Sequence, residues 1–153
     1  MNSGSDHPGS ARAGVKLWLE RDGELLFSGY RAELLRRIRA SGSLARAAAE
    51  MGLSYRRAWG KLREIEAHLG IALVDSKVGG RGGGYSRLTP HGEALLAAWD
   101  AFSGALLREA DILFASHFGD RLGVSRPAEG SGQLGQQVQL VTDDAGGSPV
   151  DER

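Results

Sequence analysis

Between Val15 and Phe118 the apolar positions change period several times, and each change marks an element. Val15, Leu17 and Leu19 alternate with polar or exposed-type residues, and Glu24-Leu-Leu-Phe-Ser28 follows the Arg21-Asp22-Gly23 break. Asp-Gly between two short apolar runs favours a tight hairpin turn, because both residues tolerate positive φ. A two-stranded ribbon is expected there. From Tyr30 to Ala40 the spacing becomes helical, with Leu34, Leu35 and Ile38 on one side and Ser41-Gly42 at the end. Arg31, Arg36, Arg37 and Arg39 surround the rest and read as a solvated face, some of it within reach of phosphate.

Ser43 caps a second helix whose apolar stripe is Leu44, Ala47, Ala48 and Met51. Its alanines let a neighbouring helix approach closely. Gly52 suits the left-handed residue after a helix end, since it has no Cβ to clash, and Leu53 is expected to plug the core at that turn. Ser54 caps a third helix running to about Leu69, with Ala58, Leu62, Ile65 and Leu69 inward and Gly70 as its stop. Two short strands, Ile71-Ala-Leu-Val-Asp75 and Tyr85-Ser-Arg-Leu-Thr89, flank Gly79-Gly-Arg-Gly-Gly-Gly84. Thr89-Pro90 then opens a long helix, with Glu93 near its positive end. Its apolar positions are Leu95, Trp99, Phe102, Leu106 and Leu113, with Ala110 as a small step, and it is expected over about 90–118. One small domain has little surface left to cover such a stripe, so these five residues predict pairing with a partner helix.

The ends differ in character. Residues 1–14 are Gly/Ser-rich and read as a disordered leader. After Phe118, residues 119–153 are rich in Gly, Ser, Gln and Asp, with one brief alternation at Val138-Gln-Leu-Val141, and read as a disordered acidic tail. The expected fold is mainly α with small β: a winged helix-turn-helix over 15–118, with an N-terminal β-hairpin and a long C-terminal dimerisation helix.

Charge sharpens this picture. The 153 residues carry 19 Lys/Arg and 19 Asp/Glu, a formal net charge of zero that hides a partition. Residues 31–91 hold twelve Lys/Arg against five Asp/Glu, a surplus of +7; residues 1–30 hold three against four, and residues 92–153 four against ten. A basic middle beside an acidic end points to a polyanionic partner for the middle. No cysteine is present, which excludes disulfides, thiolate metal sites and cysteine nucleophiles. No apolar run approaches the roughly 20 residues needed to span a bilayer, and the first ten residues lack an apolar signal core. A cytoplasmic protein without a membrane partner is expected.

Side chains on the first turn of a helix docked in the major groove face base edges, so Ser54, Tyr55, Arg56 and Arg57 are placed to read them. Arginine can hydrogen-bond guanine in paired fashion. Lys61 and Arg63 lie further along and suit phosphates. Trp59 fits either core packing or apposition to the DNA backbone. The glycine loop with Lys77 and Arg81 fits a flexible basic wing. A nucleotide cradle is less apt, because a phosphate-binding loop needs Gly-Lys-Ser/Thr leading into a helix, and this loop leads into a strand. His7, His68, His91 and His117 fall in separate elements, without carboxylate or metal-ligand spacing. No paired acids or nucleophile turn stand out, so neither an enzyme, a metal site nor a cofactor is expected.

Gly42-Ser43-Leu44, Gly52-Leu-Ser-Tyr-Arg-Arg-Ala-Trp59, Gly79-Gly-Arg-Gly-Gly-Gly84 and Leu88-Thr89 together resemble the amino-terminal DNA-binding domain of the ModE family of molybdate-responsive transcriptional regulators, itself related to the LysR-type winged helices. The resemblance covers about residues 15–118. It implies a homodimer paired through the long helix, with the third helix and wing addressing a two-fold related site on double-stranded DNA. Carried over by position, the implied DNA-binding set is Ser43, Arg46, Ser54, Tyr55, Arg56, Arg57, Lys61, Lys77 and Arg81. Members of that family continue into two molybdate-binding modules, which the low-complexity residues after 118 do not suit. A winged helix used for protein contacts, and a regulator binding molybdate or another oxyanion at the dimer interface, are the alternatives.

Overall fold

The computed structural model describes residues 11–79 and 83–122. Of the tail expected over 119–153 all but its first four residues, and with it most of the leader and Arg81, lie outside the described residues. The Asp22-Gly23 turn forms as its sequence demands, with Asp22 at φ 53 and Gly23 at φ 80. It joins β1 (Trp18–Arg21) to β2 (Glu24–Ser28) in an antiparallel ribbon with a register shift between Leu19 and Glu20. The first strand starts three residues later than its alternation suggests.

Three helices follow, each begun by a hydroxyl cap. Ser28 accepts from the Arg31 amide and opens α1 (Gly29–Ser41); Ser43 accepts from the Arg46 amide and opens α2 (Leu44–Glu50); Ser54 accepts from the Arg57 amide and opens α3 (Tyr55–Leu69). Each oxygen satisfies an amide that the helix itself leaves unpaired. The stops at Gly42, Gly52 and Gly70 are all left-handed, with φ between 66 and 70.

Beyond α3 come β3 (Val74–Lys77) and β4 (Tyr85–Leu88), antiparallel neighbours, and then α4 (Pro90–Leu122). The first wing strand thus pairs two to three residues later than the apolar run Ile71–Asp75 suggests. Leu73 from that run is fully buried while Ile71 stays open. The long helix extends four residues beyond its expected end.

One apolar core joins all these elements: Phe27 from the ribbon, Leu34, Leu35 and Ile38 from α1, Leu44, Ala47 and Ala48 from α2, Ala58, Leu62 and Ile65 from α3, then Leu73, Val74, Leu96 and Trp99. Leu53 and Leu69 pack at its edge as expected. Trp99 departs from the expected dimer stripe. It is 4% exposed, and its ring meets Phe27 edge-on with centroids 5.3 Å apart. The start of α4 therefore belongs to the domain interior. Further along, Phe102 and Leu113 are each 48% exposed, so the stripe does lose its cover. No described helix is long and apolar enough to cross a membrane.

Candidate nucleic-acid interface

The turn between α2 and α3 is closed by backbone alone. Leu53 N donates to Ala48 O at 2.9 Å and Gly52 N to Ala49 O at 3.1 Å. Gly52 supplies the positive φ, and Ser54 restarts the chain as a cap. This tight connection holds α3 against α2 and leaves the first turn of α3 open. Tyr55 is 56% exposed there, and Arg56 and Arg57 are exposed with it. Ser43 and Ser54 spend their side-chain oxygens on the amides of Arg46 and Arg57, at 3.2 and 3.3 Å, so their first duty is to hold helix ends. Lys61 is half-buried, with its ammonium 5.3 Å from the Tyr30 ring centroid.

The basic surplus of the middle segment resolves into two populations. The arginines of α1 are each paired with an acid. Arg31 is 2% exposed, donating to Leu25 O and Leu26 O at 2.8 and 3.1 Å and to Glu64 Oε1 at 2.6 Å. That corrects its expected place on a solvated face: its guanidinium ties β2 and α1 to α3. Arg36 meets Glu33 at 3.3 Å and also Asp100; Arg37 meets Glu33 at 2.7 Å and Glu50 at 3.2 Å; Arg39 meets Glu93 at 3.3 Å. Arg63, expected near phosphate, instead pairs with Glu66 at 2.8 Å and lies 3.9 Å from the Trp59 ring centroid. Trp59 itself packs against the core from its edge. The second population is open: Arg46, Arg56 and Lys77 are exposed and have no acidic partner among the described residues. All three belong to the set expected to meet DNA.

The wing is a two-faced ribbon. Its register pairs Val74 with Leu88, Asp75 with Arg87, Ser76 with Ser86, and Lys77 with Tyr85. Alternation puts Val74, Ser76, Ser86 and Leu88 on one face and Asp75, Lys77, Tyr85 and Arg87 on the other. On the second face the Tyr85 hydroxyl donates to Asp75 Oδ2 at 3.1 Å, and the Arg87 guanidinium lies 5.0 Å from the Tyr85 ring centroid. That hydrogen bond, reinforced by the Asp75 charge, raises the Tyr85 pKa above the ordinary phenol value. At the neck of the loop, a β-carbon on Gly84 would fall 2.7 Å from Gly79 N, so the two strands close there only with glycine on both sides.

Arg87 is a further cation on this face that sequence reasoning did not single out. Its signal was present: it follows Tyr85 by two in an alternating strand, so it shares a face with Lys77. Of the expected DNA-binding residues, the structure groups Tyr55, Arg56 and Arg57 at the head of α3. Ser43 and Arg46 lie at the head of α2, and Lys77 on the wing. Arg81 falls outside the described residues.

This arrangement is a winged helix-turn-helix, a DNA-binding architecture. Residues 31–93 match the family of bacterial regulatory helix-turn-helix proteins of the lysR type. The chain is also homologous to molybdenum-related regulators. It is 38% identical over 97 residues to the molybdenum-pterin-binding protein MopA of Rhodobacter capsulatus, covering 63% of this chain and 37% of that one. It is 31% identical over 102 residues to the DNA-binding transcriptional dual regulator ModE of Escherichia coli K12, covering 67% and 39%. It is 44% identical over 66 residues to the molybdenum transport protein ModE of Herbaspirillum seropedicae, covering 43% and 24%. The chain thus spans less than two-fifths of the length of these curated relatives.

Proposed function

We propose that the chain is a sequence-specific DNA-binding transcriptional regulator that acts as a homodimer. The first turn of α3 enters the major groove, and the wing lies on the adjacent backbone. Two copies joined through α4 read a two-fold related operator, with recognition helices about 34–36 Å apart. One observation carries this reading. The arginines of α1 are neutralised by acids, while Arg56, at the capped head of α3, stays exposed with no acidic partner among the described residues.

The test is binding of the protein to genomic fragments and to random duplex at several salt concentrations. Affinity is expected to fall steeply with salt, because phosphate contacts release counterions. Arg56→Ala is expected to weaken operator binding by about 1–3 kcal/mol, the worth of a paired contact to guanine, and to change random-DNA binding little. Equal losses on both would assign Arg56 to phosphate only. No retarded fragment at low salt would favour a winged helix used for protein contacts.

The molybdenum-related names of the relatives favour a second reading, an oxyanion-responsive regulator binding its anion at the dimer interface. Molybdate or tungstate would then raise the melting temperature. An unchanged melt would remove it.

A further inference from the structure

Glu66 is 7% exposed and lies on the last turn but one of α3. Its Oε1 accepts from the amides of Leu73 and Val74 at 2.8 and 3.1 Å, where the chain turns into the wing. Arg63 donates to its Oε2 at 2.8 Å and, one turn back along α3, stacks on Trp59. The wing has a second anchor, the Ser86 amide donating to Gly42 O at 2.8 Å between α1 and α2. The Glu66 anchor links the wing directly to α3 and runs through a side chain, so it is open to substitution. We propose that Glu66 is a positioning residue: it fixes the wing relative to the recognition helix so that both meet one duplex, and Arg63 serves this strut rather than DNA. The inference rests on the reading that α3 and the wing share a DNA site, but its geometry is tested without DNA.

A carboxylate offers acceptors to both sides at once. A glutamine can accept from the wing amides with its single oxygen but presents donors to Arg63, and an alanine serves neither. Buried amides left without an acceptor seek another conformation. Loss of Glu66 should therefore free the wing while Leu62 and Ile65 keep the core together.

The chain has no cysteine, so Ala67→Cys on α3 and Val78→Cys on the wing give a defined nitroxide pair; Ala67 is exposed and Val78 is 94% exposed. Dilution with unlabelled chain confines the distance measurement to one molecule. A narrow distance distribution is expected with Glu66 in place, widened in Glu66→Gln and widened further in Glu66→Ala. Operator affinity should fall about tenfold in Glu66→Ala as wing phosphate contacts are lost. In that background Lys77→Ala should cost nothing more.

An unchanged distribution in both variants overturns the proposal, as does a full Lys77→Ala effect in the Glu66→Ala background. So does loss of the cooperative melt in Glu66→Gln as well as Glu66→Ala, which would make Glu66 a core residue. If the native chain binds no DNA yet the distribution widens, the positioning role stands and the DNA reading falls.

Discussion

The α-carbon of Gly92 lies so close to the carbonyl oxygen of Leu73 that a β-carbon at position 92 would overlap it. That same oxygen accepts from the Thr89 amide at 2.9 Å. The Thr89 hydroxyl donates to Ala72 O at 2.7 Å and accepts from Gly92 N at 3.1 Å. The first turn of α4 is thus stitched to the segment leading into the wing. Because the obstacle is backbone, no rotamer change relieves it. A glycine-to-alanine change inside a helix ordinarily gains up to about 1 kcal/mol. Gly92→Ala is expected to lose about 2 kcal/mol instead, read as a fall in Tm of roughly 10 °C. A gain in Tm would show that α4 lifts freely from the wing base.

Arg31 and Glu64 make a second junction of unequal burial, with side chains 2% and 49% exposed. The guanidinium also satisfies the Leu25 and Leu26 carbonyls, so its removal strands two acceptors as well as one acid. Arg31→Met should cost about 2–4 kcal/mol in urea unfolding, despite conserving apolar bulk. Arg39→Ala, which breaks a pair exposed by nearly half on each side, should cost less than about 1 kcal/mol. Similar losses for the two variants would remove Arg31 from its structural role.

The caps and stops were legible because each is a local event. Ser43, Ser54, Thr89, Gly42, Gly52 and Gly70 act within three or four residues of themselves. What the sequence hid depends on partners far along the chain. Arg31 looks like a surface residue until Glu64, 33 positions away, comes beside it. The surplus of +7 in residues 31–91 does not say which cations are already matched by acids. The long apolar stripe also blends two surfaces: Leu96 and Trp99 are buried in the core, whereas Phe102 and Leu113 are open. Leu96, fully buried, escaped notice because it is one position out of the stripe drawn through Leu95.

Arg87 extends the cationic face of the wing beside Lys77. A side chain that meets phosphate contributes about one released counterion to the salt dependence and nothing to base choice. Arg87→Ala should therefore reduce the slope of log K against log salt by about 1, with equal loss on operator and random DNA. An unaltered slope would confine the wing contact to Lys77 and the loop beyond it.

Tyr85 gives a spectroscopic handle on the same face. Its phenol donates to Asp75 and lies beside that carboxylate charge, so ionisation is pushed above the ordinary value of about 10. With the folded pKa raised, the hydrogen bond contributes below the unfolded pKa and is lost as pH rises through the folded one. Ultraviolet titration should show a late-ionising tyrosine that disappears in Tyr85→Phe. It should shift toward the ordinary value in Asp75→Asn, where the charge is gone. A titration curve unaltered by both substitutions would dissolve the pair.

Past Trp99, α4 carries Phe102, Ile112, Leu113, Phe118 and Leu122 with about half of each side chain exposed, and Phe114 and Phe118 stack with centroids 5.6 Å apart. An apolar surface of that extent on one helix suits the second copy proposed above. Since Phe102 and Leu113 are open within a single chain, charging them should spare the domain and strike only the assembly. Phe102→Asp with Leu113→Asp is expected to shift sedimentation from twice the 16.3 kDa chain mass to the chain mass. The change in single-chain stability should stay within about 0.5 kcal/mol. Operator affinity should drop as the two half-sites lose their shared effective concentration, while binding to an isolated half-site persists. Trp99 cannot serve in this experiment, because its ring sits against Phe27 inside the core. A native protein that sediments at one chain mass at tens of micromolar would leave the apolar half of α4 without the second copy proposed for it.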